Sequence, residues 1–364
     1  MGGAEKFLID IANYFNKIGI RNDILLLSDN SELSNKISDK INIFKLIRKS
    51  RYDLGIFNKI RCHINEHRYT TIFCINTYAF FFVRMAIFLD KKTSIILSPH
   101  TTKPFSFYKY IQNWLYCRFI RKQDRIIYLC KNQQQYLKKI YQYKTENDDV
   151  IYNGINEDYF SPSIYSENDR IIKKNFLGIN ETEKIIVQVA RISAEKKHIN
   201  SLKALSVMHN KYKTKPHLIF VGTGDKRIIE ILYSEVEKLD LKKYVHFVGN
   251  QEDVRPFYFI ANLFTLTSES ETFPISVLEA MAFGLPCVLT NVGGVKEIII
   301  SEKFGMIANE GDPFSIAKEW NNALRGNFNT EMIRKYLIEN FSAKKMLERY
   351  KSNVYEAEFE KYKI

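Results

Sequence analysis

The sequence has few cysteines and no long apolar run, and both features limit the class of protein. Its 364 residues include five cysteines and no C-x-x-C pair, which favours reduced, structural thiols in a cytosol over a disulfide framework. The longest apolar run, residues 79–89, is interrupted by Arg84 and is far shorter than the roughly 20 residues that span a bilayer. No secretory signal peptide is visible. The sequence therefore predicts a cytoplasmic protein.

Acidic residues are scarce in the first half of the chain. Residues 1–170 contain 26 Lys and Arg against 17 Asp and Glu, and the remainder contains 28 against 24. A nucleic-acid partner, an anionic membrane surface, or the lysine-rich usage of an A·T-rich gene would each produce this bias. No nucleic-acid-binding motif accompanies the charge, so we predict no nucleic-acid partner.

Length and periodicity predict two α/β domains. The chain is too long for one ordinary core and fits two domains of about 150 to 200 residues. Strand-like runs alternate with helical segments in two series, which is typical of doubly wound parallel sheets. We predict domains over residues 1–155 and 170–335, a linker over 156–170, and a terminal helix over about 343–364. The strand candidates are residues 23–27, 71–75, 93–97, 125–129, 150–152, 184–189, 263–267 and 287–290.

The most informative stretch is residues 263–294, which predicts a strand, a loop, a helix and a second strand. Pro274 suits a first helical position, and Gly284 suits the residue after a helix end. Glu271 would lie in the loop at the carboxyl end of the strand, and Glu279 inside the helix. Two carboxylates placed in this way can accept hydrogen bonds from separate hydroxyl groups of one sugar ligand.

Arg191 and Lys196 follow another predicted strand, and two cations placed in this way can neutralise an anion. The alternative is a solvated basic turn, since Lys197 adjoins them.

Residues 271–282, ETFPISVLEAMA, resemble the E-x7-E motif of the family-four retaining glycosyltransferases, which have the two-domain GT-B fold and use nucleotide-sugar donors. Further segments resemble that family in the same order along the chain. They are residues 2–5 (GGAE), 151–156 (IYNGIN), 189–196 (VARISAEK), 220–225 (FVGTGD) and 245–250 (VHFVGN).

The resemblance implies a role for each site residue. Arg191 and Lys196 would bind the leaving diphosphate, Glu279 the ribose hydroxyls, and Glu271 would lie beside the transferred sugar. His100 would lie near the donor sugar, and with Glu271, Arg191 and Lys196 it completes the predicted catalytic residues. Phe273 and Ile275 would present backbone amides to the donor, whereas Pro274 supplies no N–H. The remaining predicted donor-binding residues are Gly3, Gly222 and Asn250.

We also expect a metal-independent reaction without a cofactor, since no D-x-D pair occurs. His63 and His67 have metal-ligand spacing on a helix face but lack the H-E-x-x-H order, so a polar helix surface is favoured. The resemblance implies transfer of a hexose to a hydroxyl acceptor, such as a lipid-linked oligosaccharide, in bacterial surface polysaccharide or lipopolysaccharide synthesis.

Residues 103–122 interleave aromatic and basic side chains, which is typical of a helix at an anionic membrane interface. The alternative is a helix whose aromatic side chains face the core.

Family members open with a strand that leads into the glycine turn, and this sequence contains no such strand before Gly2. We therefore expect two inner strand edges of the first sheet to be unpaired. A start further upstream, or a truncated and inactive copy, would each explain this. A GT-B-fold epimerase or phosphorylase is the alternative from another enzyme class.

Overall fold

The structure is a computed structural model that describes residues 3–27, 37–50, 53–90, 92–102, 106–142 and 145–359. The chain divides into two compact units. Unit 1 comprises Met1–Tyr152 and Lys345–Ile364, and unit 2 comprises Asn153–Lys344. Both are built from parallel strands alternating with helices, as the sequence predicts.

In unit 1 the elements are α1 (Gly3–Lys17), β1 (Ile24–Leu26), β2 (Ile43–Lys45), α2 (Gly55–His67), β3 (Thr71–Cys74), α3 (Thr77–Ala86), β4 (Ser94–Leu97), α4 (Phe107–Cys117), β5 (Arg125–Tyr128), α5 (Lys131–Tyr141) and β6 (Asp148–Val150). The last helix, α14 (Ala343–Phe359), lies almost wholly in the same unit.

In unit 2 the elements are α6 (Glu167–Phe176), β7 (Ile185–Val189), α7 (His198–Val207), β8 (His217–Val221), α8 (Lys226–Lys238), β9 (Val245–Phe247), α9 (Arg255–Ile260), β10 (Leu263–Leu266), α10 (Ile275–Ala282), β11 (Cys287–Thr290), α11 (Val295–Ile298), β12 (Gly305–Ala308), α12 (Pro313–Arg325) and α13 (Thr330–Phe341).

The strands of unit 1 form two separate parallel sheets. Strands β3, β4, β5 and β6 pair in that order, and β1 pairs only with β2 among the described residues. Helix α1 packs against both sheets, with Phe7 and Ile11 contacting the core beside β4 and β5, and Ala12 contacting Ile24 of β1. Tyr69, just before β3, donates a 2.6 Å hydrogen bond to Asp23, just before β1. Among the described residues, β1 and β3 each have a strand partner on one side only, which agrees with the two unpaired inner edges that the sequence predicts.

Helix α14 completes the core of unit 1. Met346 and Tyr350 are buried with Phe7 and Ile96 in one cluster. Polar contacts add to this packing, because Arg125 in β5 bonds Glu356 at 2.8 Å. Burial of aromatic and aliphatic side chains supplies most of the stabilisation, about 25 cal/mol per Å² of apolar surface.

Unit 2 contains one six-stranded parallel sheet, in the order β12-β11-β10-β7-β8-β9. Its four inner strands, β11, β10, β7 and β8, are buried on both faces, as a parallel sheet covered by helices requires. The chain winds in opposite directions from β7 and β10, so the sheet reverses between these two neighbours.

Two segments differ from the sequence-based prediction. Strand β6 is Asp148–Val150 and not residues 150–152, because the backbone of Asp148 and Asp149 pairs with β5 at a sheet edge where acidic side chains can remain partly exposed. The predicted linker is ordered against unit 2. Arg334 donates to the carbonyl oxygens of Glu157 and Phe160, and a capping box of Ser166 and Asp169 begins α6.

Candidate active site

The loops after β7 and β10 lie side by side because their strands are neighbours in the sheet. This is the point at which the strand order reverses, and ligands of doubly wound sheets bind there, outside the carboxyl ends of the strands. The loop after β7 carries Arg191 and Lys196, and the loop after β10 carries Glu271. The sheet therefore collects the predicted cations and one predicted carboxylate on one edge.

Lys196 and Glu271 form a direct link between the two loops. Lys196 Nζ lies 2.7 Å from Glu271 Oε1, and the two side chains are 22% and 8% exposed. Ser268 Oγ donates to the same carboxylate oxygen at 2.6 Å. Shielding from water makes this ion pair stronger than one on an open surface. An ammonium has three donors, so Lys196 can also bind a second anion.

Arg191 is the more exposed of the two cations. Its side chain is 70% exposed, and its guanidinium Nη2 lies 3.2 Å from Glu195 Oε1. Glu195 also holds the loops together, since its carbonyl oxygen accepts a 2.8 Å bond from the Glu269 amide. A guanidinium has five donors in a planar fork, so this arrangement leaves donors that can reach a phosphate.

Gly222 lets the backbone after β8 approach the loop that carries Arg191. Its φ is +137°, and a Cβ at this position would lie 2.2 Å from the Ala190 carbonyl oxygen. The Gly222 amide donates to the carbonyl oxygen of Gly249, next to Asn250, at 2.8 Å. Gly222 and Asn250 thus lie in adjoining turns of unit 2. At position 222 only a residue without a side chain fits the turn.

Helix α10 begins at Ile275 and ends at Ala282. Pro274 is the residue before the first helical position and not the first helical residue itself, because its ψ of 120° is extended. Gly284 follows the helix end with φ +74°, as predicted. Ile275 therefore stands at the helix N-terminus, where backbone N–H groups have no partner within the helix.

Glu279 is buried inside α10, and a tyrosine that sequence reasoning missed holds it. Tyr258, on α9, donates from its hydroxyl group to Glu279 Oε2 at 2.8 Å. Burial and the neighbouring Glu279 raise the pKa of Tyr258 well above its ordinary value, so the hydroxyl group stays a donor. The motif gives no signal for Tyr258, which lies in an aromatic run that predicts only core packing.

Two further contacts fix the loop before α10. The side-chain amide of Asn153 donates to the Phe273 carbonyl oxygen at 2.8 Å. Behind the loop, Gly293 has φ +55°, and a Cβ there would lie 2.0 Å from the Glu271 carbonyl oxygen. The Gly294 amide donates to the Thr272 carbonyl oxygen at 2.9 Å. The Gly293–Gly294 pair therefore supports the loop from behind.

His100 and Gly3 belong to unit 1. His100 follows β4, and its ring packs against Phe7 with 4.4 Å between the ring centroids. Burial lowers the pKa of His100 to about 4. At neutral pH its imidazole is therefore an uncharged hydrogen-bonding group. Gly3 is the first residue of α1, and Gly2 lies outside the described residues.

His63 and His67 share one face of α2, with 4.4 Å between their ring centroids. Both rings pack on Phe44, and His67 Nδ1 lies 3.0 Å from the His63 carbonyl oxygen. Within the described parts of the chain, no group of three or more His, Cys, Asp or Glu side chains could hold a metal ion. None of the helices in those parts combines the length and the hydropathy that a membrane span requires.

Two cations and two carboxylates thus lie on unit 2, and side chains of these types can recognise a ligand that has both a diphosphate and sugar hydroxyl groups. The cations can balance the charge of the diphosphate. Carboxylates such as Glu271 and Glu279 can accept hydrogen bonds from sugar hydroxyl groups. The roles of the individual residues stay predictions.

The chain matches two families of known proteins. The model described as "Glycosyl transferases group 1" matches residues 169–342, and the model "Glycosyltransferase Family 4" matches residues 1–159. The N-acetyl-alpha-D-glucosaminyl L-malate synthase of Bacillus anthracis is 29% identical over 58% of this chain, which spans about half, 54%, of that relative.

Two further comparisons extend over more of the chain. The Escherichia coli UDP-Gal:alpha-D-GlcNAc-diphosphoundecaprenol alpha-1,3-galactosyltransferase is 24% identical over 79% of this chain and 70% of its own length. The crystal structure of Anabaena HepE in complex with UDP-glucose has a TM-score of 0.84 at 20% identity, covering 98% of this chain and 96% of HepE. Since the matched families account for both Rossmann-like units and the solved structure for their fold, this chain belongs to the family-four glycosyltransferases of the GT-B fold.

Proposed function

We propose that this chain is a retaining hexosyltransferase that moves a hexose from a nucleotide-diphosphate sugar to a hydroxyl acceptor. The observation that carries the proposal is the link between Lys196 and Glu271 at the reversal point of the unit 2 sheet, with Arg191 on the same loop. In this proposal the two cations bind the leaving diphosphate, and Glu271 lies beside the transferred sugar.

In the proposed reaction, the bond between the anomeric carbon and the diphosphate oxygen breaks. The acceptor oxygen bonds to the same face of the anomeric carbon, and its proton passes to the leaving phosphate oxygen. Arg191 and Lys196 stabilise the charge that develops on the diphosphate, and Glu271 orients the sugar. In this proposal the two cations take the place of a metal ion, and no cofactor takes part.

The acceptor that we propose is a lipid-linked oligosaccharide used in bacterial surface polysaccharide or lipopolysaccharide synthesis. The support is the Escherichia coli relative, whose name specifies an acceptor on diphosphoundecaprenol. The donor that we propose testing first is UDP-glucose, the ligand of the HepE structure, followed by other UDP-hexoses.

The test is a transfer assay with UDP-α-hexoses and a polyprenyl-diphosphate GlcNAc acceptor, with the product anomer determined by NMR. We expect an α-linked product and an unchanged rate in chelator. A β-linked product would overturn retention. An epimerised donor without transfer would support the epimerase alternative, and a rate that falls in chelator and returns with Mg²⁺ or Mn²⁺ would overturn metal independence.

A further inference from the structure

Helix α4 carries apolar side chains on two opposite sides. Its inner side is filled, because Tyr110, Trp114 and Cys117 pack in the core of unit 1 and Tyr116 stacks on Phe81 at 4.1 Å between ring centroids. The aromatic side chains of this helix therefore do face the core in part, as the alternative in the sequence predicts. A second apolar row lies on the other side.

We call this second row the outward stripe, and it consists of Phe107, Tyr108, Ile111 and Leu115. Successive members are separated by one, three and four residues in the sequence, so they share one helix face. Every one of them is exposed, Phe107 by 76%. Single exposed apolar side chains are ordinary, but a row of neighbouring ones on a single helix face is typical of a surface that binds a protein or a membrane.

Two more exposed apolar residues lie beyond the C-terminal end of α3. Phe88 is half exposed and Leu89 is 89% exposed. Arg121 connects them to the segment after α4, because it donates to the Phe88 carbonyl oxygen at 2.5 Å and its guanidinium lies 4.8 Å from the Phe88 ring centroid. The outward stripe and the Phe88–Leu89 pair hold six of the nineteen exposed large apolar side chains of the described chain.

Basic residues predominate in the chain around this surface, although Asp90 directly follows Leu89. Between Asp90 and Asp124 the sequence contains seven Lys or Arg residues and no acidic residue. Arg118 lies over Trp114, 4.2 Å from the ring centroid, and Lys109 bonds Gln112 at 3.0 Å on the same helix. Lys91 and Lys103 lie outside the described residues. Apolar side chains bordered by cations match the boundary between the acyl chains and anionic headgroups of a bilayer.

We propose that the outward stripe and the Phe88–Leu89 pair dock unit 1 on the surface of a membrane that contains anionic lipids. The apolar side chains enter the headgroup boundary, and Lys109, Arg118 and Lys122 contact the phosphates. A nucleic acid would use the cations but not a row of exposed Phe, Ile and Leu side chains. The inference does not depend on the proposed transfer reaction.

The test is flotation of the full chain with vesicles of phosphatidylcholine, with and without phosphatidylglycerol. We expect binding to the anionic vesicles that weakens as salt increases. The triple variant F107S/I111S/L115S should lose about tenfold or more of this binding. Its matched control is I172S/F176S, which removes exposed apolar side chains from α6 in unit 2 and should bind like the unmodified chain.

The charge variant K109Q/R118Q/K122Q should also bind at least about tenfold more weakly, while K203Q/K211Q/K238Q, with the same charge change in unit 2, should not. Circular dichroism melting of every variant separates loss of binding from loss of folding. Unchanged flotation of the folded stripe variant would overturn the proposal, as would equal binding to neutral vesicles. Tighter binding to RNA than to anionic vesicles, or dimers that the stripe variant abolishes, would assign this surface to another partner and overturn it too.

Discussion

Units 1 and 2 are both built from parallel strands and helices, but their described strands form one continuous sheet only in unit 2. Unit 2 has one six-stranded sheet, and its reversal point carries the candidate donor site. Unit 1 has a four-stranded and a two-stranded sheet, which α1 connects through packing. A two-stranded sheet is marginally stable alone, so unit 1 depends more on its helices. The comparison shows that buried side chains can hold together two sheets that share no strand pairing among the described residues.

The largest expected effect is the loss of stability when a buried aromatic side chain is removed from the core of either unit. Tyr350 of α14 is buried in unit 1, and Trp320 of α12 is buried in unit 2. Changing either to Ala leaves a large cavity and should cost about 3–5 kcal/mol. Differential scanning calorimetry should show Y350A lowering the transition of unit 1, and W320A lowering that of unit 2.

The control for this pair is K203A, which changes an exposed side chain on α7 and should leave both transitions in place. If Y350A and W320A both lowered a single common transition by the same amount, the account of two separate cores would be wrong.

Much of unit 2 could be predicted from the sequence because its motifs specify local structure. Gly284 after α10 and the strand before Arg191 are local signals, and the structure has both. Tyr258 could not be predicted as the partner of Glu279, because that contact joins different helices through tertiary packing. The divided sheet of unit 1 was expected, but the role of α1 in joining its parts depends on contacts that no local pattern encodes.

A second prediction compares the units in acid. Burial lowers the pKa of His198, His209 and His246 in unit 2 to about 4, while His100 in unit 1 has the same shift. Between pH 6.5 and 4 the unfolded chain binds more protons than the folded chain. The contribution of these histidines to stability is therefore fully present above pH 6.5 and is lost as the pH decreases through this window. We expect the calorimetric transition of unit 2 to fall further than that of unit 1.

The variant H198L tests the cause of this acid sensitivity. His198 is 2% exposed, and no partner for either ring nitrogen lies among the described residues. Replacement by Leu therefore removes the titratable imidazole and changes the buried volume little. The lowered pKa of His198 corresponds to a loss in acid of on the order of 3 kcal/mol in the free energy of unfolding. H198L should flatten the pH dependence of unit 2. A pH dependence as steep as that of the unmodified chain would contradict this assignment.

The smallest expected effect concerns Tyr258. Phe at this position keeps the packing of unit 2 and removes the hydroxyl group that bonds Glu279 at 2.8 Å. A lost bond to a charged group typically costs about 1.5–3 kcal/mol, so we expect the KM for the donor to increase roughly tenfold with a smaller change in kcat. The control Y233F removes an exposed hydroxyl group from α8. Equal donor KM values for the two variants would show that Tyr258 does not position Glu279.

The measurement that tests the central claim most directly is donor turnover by K196A beside K203A, with binding of UDP followed by calorimetry. Lys196, on the loop after β7, links the two loops of the site through Glu271, whereas Lys203 lies on the surface of α7. We predict that K196A loses roughly 10²-fold of turnover, as removal of one transition-state donor does, and binds UDP more weakly. K203A should match the unmodified chain. Unmodified turnover and UDP affinity in folded K196A would contradict the assignment of the donor diphosphate to this edge of unit 2.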